Sequence, residues 1–166
     1  MPVLIALVEK TSRPILELGT GVFSTPYLHR KCHLTGRRLV SYENKWEYFT
    51  FADQYADPRF HQVTLAEDWS QYSAAIADCH WSIALIDHDP PQRRIEDVKL
   101  LANVADFLIL HDSEQANAHL YHYDEIYGLF RNRFDYTQAG EPHTTVVGNG
   151  DPVLFNACLA QLMGQG

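Results

Sequence analysis

The chain contains 166 residues, of which 46% are apolar and 20% are charged, as is usual for a globular protein with a hydrophobic core. A formal net charge of −8 disfavours a general nucleic-acid-binding function, because proteins that neutralise phosphates normally carry a basic face. No apolar run approaches the roughly 18 residues of a membrane span, and the N-terminus lacks the basic flank of a signal peptide. We therefore expect one domain over residues 1–166, with a small-molecule or glycan partner and no membrane association.

The cysteines are few and far apart in the chain. Cys32, Cys79 and Cys158 form no CxxC pair, so a zinc site is disfavoured. An odd number of scattered thiols suits a reducing compartment, and we expect a cytoplasmic protein. The sequence leaves the formation of a homo-oligomer open.

Apolar runs alternate with segments of helical periodicity along the chain. An opening helix is expected in residues 1–14. The predicted strands are residues 13–19, 37–43, 60–66, 81–87, 106–112, 133–140 and 143–149. The predicted helices between and after them are residues 24–34, 45–56, 69–79, 93–104, 114–134 and 151–163.

Alternating strands and helices predict a mostly parallel sheet with helices on both faces. The segment 93–104 shows the helical period well, with Ile95, Val98 and Leu101 on one face and Arg94 and Asp97 mostly elsewhere. Asp151 is a plausible N-cap of the closing helix. The fold class predicted is therefore α/β.

A glycine-rich loop follows the first predicted strand, where ligands bind in open parallel sheets. Gly19 and Gly21 would allow a tight turn and a close approach of the backbone to a ligand. The third glycine of a dinucleotide fingerprint is replaced by Ser24, and the carboxylate of Glu17 beside the loop would repel a pyrophosphate. A nicotinamide-dependent oxidoreductase is therefore disfavoured, and a cationic or hydrogen-bond-donating ligand is favoured.

Acidic residues also follow the next two strands. Glu43 ends the second predicted strand, where a carboxylate can accept hydrogen bonds from ribose hydroxyls. Asp68 follows the third strand and could accept from an adenine amino group, and Trp69 beside it could pack on the purine. All of these residues fall on the same predicted edge of the sheet, which indicates one nucleoside-containing ligand.

These motifs together resemble the class I S-adenosylmethionine-dependent methyltransferases. "ELGTG" is similar to the first motif of that family, Glu43 to its ribose acid and Asp68 to its adenine acid, while "ALIDHDPP" and "LILHDSE" match the ends of its fourth and fifth strands. The resemblance implies a Rossmann-like, seven-stranded, mostly parallel sheet with an antiparallel final hairpin. It implies S-adenosylmethionine as cofactor, with the first-motif carboxylate facing its methionine part. The cofactor-binding residues predicted in this way are Glu17, Gly19, Gly21, Ser24, Glu43, Asp68 and Trp69.

The ends of the fourth and fifth strands suggest how a methyl acceptor is activated. Asp87 and Asp112 resemble the acids that hold Mg²⁺ or a similar cation in cation-dependent O-methyltransferases, although Ser113 replaces an amide ligand of that pattern. Such a cation would deprotonate and orient a substrate hydroxyl. His88 and His111 are candidate bases if no cation binds. The catalytic residues predicted are therefore Asp87, His88 and His111, and the metal ligands are Asp87 and Asp112.

Two other functions remain open. An Asp-Pro-Pro motif at residues 89–91 resembles the motif of N-methyltransferases acting on nucleic acid or protein, although Gln92 replaces the aromatic residue expected there. A non-catalytic cofactor-binding subunit is the second alternative. The arginines at 93–94 could bind a carboxylate or phosphate of the substrate.

Overall fold

The computed structural model describes residues 1–137 and 142–163. Within them, seven strands form one sheet in the order β3-β2-β1-β4-β5-β7-β6. Strands β1 to β5 are parallel, and β7 is antiparallel to both β5 and β6. The strands are β1 (Ile15–Leu18), β2 (Leu39–Glu43), β3 (His61–Leu65), β4 (Trp81–Ile86), β5 (Ala105–His111), β6 (Asn132–Tyr136) and β7 (Thr144–Gly148).

The α-helices alternate with the first five strands and then close the chain. They are α1 (Pro2–Lys10), α2 (Ser24–Thr35), α3 (Trp46–Asp53), α4 (Ser73–Ala77), α5 (Pro91–Leu101), α6 (Ala118–Tyr121) and α7 (Pro152–Met163). The predicted α/β fold, with its mostly parallel sheet and antiparallel final hairpin, is confirmed. Residues 138–140 of the sixth predicted strand lie outside the described residues.

Helices cover both faces of the sheet, as the alternating pattern predicts. Side chains of α1, α2 and α7 form one core with Ile15 of β1. Side chains of α4 and α5 form the other core with Leu16 of β1. Consecutive residues of β1 thus enter opposite cores, because successive side chains of a strand point to opposite faces. Every residue of β1, β2 and β4 is buried, as expected for strands covered on both sides.

Local sequence explains where two of the helices begin and end. Gly36 ends α2 in the left-handed conformation with φ of 66°, which costs glycine little. Asp151 precedes α7 and accepts a hydrogen bond from the backbone N–H of Val153 at 2.8 Å, so its predicted capping role is confirmed. No helix in the described part of the chain combines the length and apolar character needed to cross a bilayer.

The long helix predicted over residues 114–134 is wrong. That segment consists of the short helix α6 and three 3₁₀ turns, at Gln115–Asn117, Tyr123–Glu125 and Tyr127–Leu129. His122 ends α6 with φ of 50°, and the chain then turns so that Tyr123 and Ile126 are buried in the core. Tertiary burial of these apolar side chains has overridden the helical pattern of the sequence.

The face of α5 was also predicted incorrectly at two positions. Arg94 and Asp97 were expected mostly away from the buried face, but Arg94 is 2% exposed and Asp97 is fully buried. Asp97 lies against Arg93, whose guanidinium donates to it at 2.7 Å. Buried charges of this kind are tolerated because each has an oppositely charged partner.

A close backbone contact joins the loop after β1 to the end of β4. Gly19 has φ of 88°, and a Cβ atom added there would lie 2.5 Å from the carbonyl carbon and oxygen of Asp87. No side chain fits in that space, and L-residues rarely adopt that φ value. The glycine therefore allows the two loops to pack directly against each other.

Gly19→Ala should lower the free energy of unfolding by about 2–4 kcal/mol, because backbone strain adds to a clash with rigid backbone atoms. Chemical denaturation followed by circular dichroism would measure this change. The matched control is Gly36→Ala: its φ of 66° also strains the backbone, but nothing lies within 4 Å of the added Cβ. In that variant the free energy of unfolding should fall by only about 1 kcal/mol. Equal losses in the two variants would contradict the importance of the contact with Asp87.

Candidate functional site

A cavity of about 450 Å³ opens at the carboxyl ends of the central strands. Its walls come from the loops after β1, β2, β4 and β5 and from the N-terminal part of α1. Its volume is within the range typical of small-molecule sites. One side carries Thr20, Gly21, Ser24 and Glu43, and the other side carries the end of β5.

Glu17 lies beneath the glycine-rich loop and is fully buried. Its carboxylate accepts hydrogen bonds from the hydroxyl of Ser41 at 2.7 Å and from the hydroxyl of Thr25 at 3.0 Å. The Thr25 oxygen in turn accepts from the backbone N–H of Gly21 at 3.0 Å. Glu17 was predicted to face the cofactor; the structure places it under the loop instead, connected to Gly21 through Thr25.

Among the described residues Glu17 contacts no cationic side chain, so its charge is expensive to bury. Burial raises the pKa of Glu17 to about 7, although hydrogen bonds from Ser41, Ser24 and Thr25 oppose the shift. Near neutral pH the carboxyl group is therefore protonated in a large fraction of the molecules. This places a titrating group directly under the loop that borders the cavity.

The hydroxyl of Ser41 also connects Glu17 to two histidines. The oxygen of Ser41 lies 3.0 Å from Nε2 of His61, and Nδ1 of His61 lies 3.2 Å from Nδ1 of His29. Burial lowers the pKa of His61 to about 4, so its imidazole is neutral at physiological pH. A chain of polar side chains therefore runs from the core under the loop to His29 on α2.

Glu43 borders the cavity where the ribose acid was predicted. Its Oε2 atom accepts from the backbone N–H of Thr20 at 2.8 Å and from the Thr20 hydroxyl at 3.1 Å. Its Oε1 atom accepts from the backbone N–H groups of Asn44 and Lys45, both at 2.8 Å. These four bonds fill the acceptor positions of a carboxylate. A ribose could therefore bind Glu43 only by replacing one of these donors, and the Thr20 hydroxyl is the one that a side-chain rotation can remove.

Asp68 and Trp69 do not line the cavity. Asp68 is exposed and accepts from the backbone N–H of Ser70 at 2.9 Å, which caps the 3₁₀ turn Trp69–Tyr72. Trp69 is only 5% exposed; its indole N–H donates to the carbonyl of Asp89 at 2.8 Å, and its ring centroid lies 4.3 Å from that of His88. In this conformation the indole supports the loop after β4, and its predicted contact with a purine stays a prediction.

The acids at the ends of β4 and β5 meet on the opposite side of the cavity. One ligand atom from each of Asp87, His111 and Asp112 lies within 4.8 Å of the others. Nδ1 of His111 lies 2.9 Å from Oδ1 of Asp112 and 3.4 Å from Oδ1 of Asp87. By residue type and spacing alone these side chains could hold a metal ion, and a divalent cation there stays a prediction.

His111 carries a positive charge between the two acids. Hydrogen bonding to Asp112 and to Asp87 raises the pKa of His111 to about 10, against the opposing effect of burial. The same contact with His111 lowers the pKa of Asp112. At neutral pH the imidazole of His111 is therefore protonated in the ligand-free protein, and it cannot accept a proton there as the predicted base would.

Arg94 lies directly behind these acids, although the sequence suggested that it would bind an anionic substrate. Its Nη2 atom donates to Oδ1 of Asp87 at 3.2 Å, and its Nη1 atom lies 3.7 Å from Oδ2 of Asp112. Tyr121 donates its hydroxyl to the same Asp112 oxygen at 3.1 Å. Neither Tyr121 nor the burial of Arg94 was predicted. Arg94 lies four residues before Val98, which is on the buried face of α5, and this helical spacing could have indicated that Arg94 is buried.

His88 and Asp89 follow Asp87 but make different contacts. The His88 side chain has no exposed surface, and its Nε2 atom lies 2.9 Å from Oδ2 of Asp97. This placement gives it no access to a substrate hydroxyl in this conformation. Asp89 forms an ion pair with Lys45 across the cavity mouth, which joins the loops after β2 and β4. The carboxylate of the Asp-Pro-Pro motif is therefore already paired.

The strand order and the position of the cavity identify the type of fold. No family model matches this sequence, and no curated protein matches it significantly. Solved structures do match: human Methyltransferase-like protein 13, in complex with S-adenosylhomocysteine, aligns with a TM-score of 0.67 at 15% identity over 98% of this chain and 88% of that chain. This protein has the fold of the class I S-adenosylmethionine-dependent methyltransferases.

Other methyltransferases of this fold align similarly. The O-methyltransferase from Bacillus cereus, in complex with S-adenosylhomocysteine, has a TM-score of 0.65 at 14% identity over 87% of this chain and 77% of that chain. The hMettl16 catalytic domain, in complex with the MAT2A 3′UTR hairpin 1, has a TM-score of 0.60 at 14% identity over 90% of this chain and 68% of that chain. At such identities the likeness to the methyltransferases is one of fold.

The shifted pKa of Glu17 predicts a pH-dependent stability. Because the pKa is raised from 4.5 to about 7 on folding, the stability associated with this group is fully present below pH 4.5 and is lost as pH rises towards 7. The free energy of unfolding of Glu17→Gln, relative to that of the wild type, should therefore rise by about 3 kcal/mol between pH 4.5 and pH 8. Denaturant unfolding of both proteins at several pH values would measure the difference.

The comparison of variant with wild type cancels the separate contribution of His61, which titrates in both proteins. An exposed glutamate, Glu67, provides the matched control, and Glu67→Gln should change stability by less than about 0.5 kcal/mol. A difference between Glu17→Gln and wild type that stays constant from pH 4.5 to pH 8 would show that Glu17 is ionised in the folded protein throughout this range.

Proposed function

We propose that this protein is an S-adenosylmethionine-dependent methyltransferase that acts on a hydroxyl group of a small molecule. The observation that carries the proposal is the arrangement of one cavity. Glu43 and the glycine-rich loop border it on one side, and Asp87, His111 and Asp112 border it on the other. A cofactor held at the first side would therefore present its reactive group to an acceptor held at the second.

The residues of the first side fit the cofactor that the fold implies. Gly21 lets the backbone of the loop approach a ligand closely, and Thr20, Ser24 and Glu43 offer polar groups to a nucleoside and an amino acid. Asn44, which follows Glu43, has a buried side-chain oxygen with no hydrogen-bond donor among the residues that the structure describes. Bound S-adenosylmethionine would supply an electrophilic methyl group. The task of the protein is then to hold the acceptor and to remove its proton.

The second side of the cavity favours an acceptor with an apolar body. Val3 and Leu4 of α1 face this space together with Leu85 of β4 and Ile109 of β5. Such a wall suits an aromatic or aliphatic small molecule better than a glycan, which would leave polar groups unpaired there. We therefore favour the small-molecule alternative of the two that the sequence left open.

The charges of the cluster suggest how the acceptor loses its proton. Asp87 is an exposed carboxylate with 37% of its side chain accessible, so it can accept the proton of a hydroxyl that enters the cavity. The nearby cations His111 and Arg94 favour the deprotonated oxygen, because an adjacent positive charge stabilises an anion. A carboxylate is a weak base, and an acidic hydroxyl such as a phenol is the acceptor it suits best.

N-methylation through the Asp-Pro-Pro motif has less support. The carboxylate of Asp89 is paired with Lys45, and its carbonyl accepts from the indole N–H of Trp69. The groups that would hold an amine are therefore already bonded within the protein.

A non-catalytic cofactor-binding subunit differs from the proposed enzyme in a measurable way. In a screen of acceptors with labelled S-adenosylmethionine, it would bind the cofactor without transferring the methyl group.

Glu43→Ala should weaken binding of S-adenosylhomocysteine by about 2–4 kcal/mol, because it removes a carboxylate that receives hydrogen bonds from ribose. Isothermal titration calorimetry would measure this loss. Thr20→Val is the matched control: it removes the hydroxyl that donates to Glu43 at 3.1 Å and leaves the carboxylate in place. This control should bind S-adenosylhomocysteine at least as well as the wild type.

The two variants separate a direct contact with the ligand from an effect of the Thr20 hydroxyl. If Glu43 acted only by binding the Thr20 hydroxyl, both variants would lose affinity in parallel; the backbone N–H of Thr20 still donates to Glu43 in Thr20→Val. Tight binding of NADH together with no heat of binding for S-adenosylhomocysteine would contradict the choice of cofactor altogether.

The net charge predicts weak binding to nucleic acid. With a formal charge of −8, the affinity for duplex DNA or generic RNA should be low even at low salt, because few phosphates can be neutralised. An electrophoretic mobility shift assay tests this prediction. A complex that forms at nanomolar protein and persists in about 200 mM salt would instead favour a nucleic-acid substrate.

A further inference from the structure

Arg94 is a buried cation in contact with both acids of the acceptor side. Its side chain is 3% exposed, its Nη2 atom lies 3.2 Å from Oδ1 of Asp87, and its Nη1 atom lies 3.7 Å from Oδ2 of Asp112. The two acids belong to the ends of neighbouring strands, β4 and β5. A single guanidinium therefore contacts two carboxylates that would otherwise repel each other.

The guanidinium is fixed in this position by other contacts. Its Nε atom donates to the carbonyl of His88 at 2.7 Å, and Nη1 donates to the carbonyl of His111 at 3.2 Å and to the hydroxyl of Tyr123 at 3.3 Å. Its central carbon lies 4.3 Å from the ring centroid of Tyr121, a cation–π contact. Moving Arg94 away would remove the donor to the buried carbonyl of His88, which is costly, while the carbonyl of His111 would keep the hydroxyl of Tyr123 at 3.2 Å.

Asp112 also lies close to two other polar side chains. Its Oδ1 atom lies 2.9 Å from Nδ1 of His111, and its Oδ2 atom, which faces Arg94, also accepts from the hydroxyl of Tyr121 at 3.1 Å. A magnesium ion needs several oxygen ligands at about 2.0–2.1 Å in octahedral geometry. Binding one here would require these donors to leave and would place the ion beside a guanidinium that stays charged at any pH a folded protein tolerates. The residues therefore do not fit a resident divalent cation.

We propose that Arg94 takes the place of the divalent cation at this site. It is a positioning residue: it holds the carboxylates of Asp87 and Asp112 together and supplies the positive charge next to the acceptor. The inference rests on the function proposed above and deepens it, because it makes the methyl transfer independent of a metal ion. It also reverses the expectation, drawn from the resemblance to cation-dependent O-methyltransferases, that Asp87 and Asp112 bind Mg²⁺.

Binding of Mn²⁺ alone tests this assignment without an acceptor. Electron paramagnetic resonance of free Mn²⁺ should give a dissociation constant weaker than about 1 mM for the wild type. Arg94→Met removes the charge and keeps a long side chain, and it should bind Mn²⁺ roughly tenfold more tightly or better. Arg94→Lys keeps the charge and should bind as weakly as the wild type.

Arg59→Gln is the matched control, because Arg59 is exposed, pairs with Asp57 beside β3 and does not line the cavity. This variant should leave the weak binding of Mn²⁺ unchanged. Circular dichroism shows whether Arg94→Met folds. If it does not fold, the wild type and Arg94→Lys decide the question by themselves, since both must bind Mn²⁺ weakly.

Two results would overturn the assignment. One is micromolar binding of Mn²⁺ to the wild type that is lost in Asp112→Asn. The other is a folded Arg94→Met variant with no gain in affinity for Mn²⁺. Titration of the same samples with S-adenosylhomocysteine tests the proposed function separately from the role of Arg94. A failure to bind that ligand would contradict the proposed methyltransferase function but not the role of Arg94.

Discussion

The contact between the backbone at Gly19 and the backbone at Asp87 fixes the geometry on which the rest of the site depends. A side chain at position 19 would meet the Asp87 carbonyl at 2.5 Å, so the loop after β1 and the end of β4 pack with nothing between them. The first loop carries the residues beneath a predicted cofactor, and the second carries the acid nearest a predicted acceptor. Their separation is therefore set by backbone packing and not by flexible side chains.

The carboxylates around the cavity are stabilised in three different ways. Glu43 is held by backbone N–H groups and a hydroxyl, so it stays available as an acceptor once the hydroxyl moves. Asp87 and Asp112 share the positive charges of Arg94 and His111. In the part of the chain that the structure describes, Glu17 has hydroxyl donors and no cation, and burial raises its pKa to about 7. An acidic protein can thus assemble several carboxylates at one edge of a sheet because each has its own form of compensation.

The likeness to human Methyltransferase-like protein 13 and to the other structures compared with it is one of overall fold. The N-terminal helix α1 adds an apolar wall to the cavity, and Arg94 adds a fixed charge behind it. Differences at the acceptor side are where members of one fold acquire different chemistry, because function belongs to the site and not to the fold.

The amino-acid sequence by itself determined the strands, most helices and the edge of the sheet at which the polar residues collect. Period-two and period-3.6 patterns are local, and the carboxyl ends of parallel strands must share one edge, so Glu43, Asp87 and Asp112 could be placed there without coordinates. The irregular segment after β5 could not be predicted in this way, since its turns follow from burying Tyr123 and Ile126. The tertiary structure alone showed that Arg94 lies behind the acids, that Trp69 packs beneath a loop and that Glu17 lies below the cavity. These positions depend on which side chains of distant strands and helices come into contact. A buried charge or indole is positioned by those contacts, and sequence periodicity does not identify them.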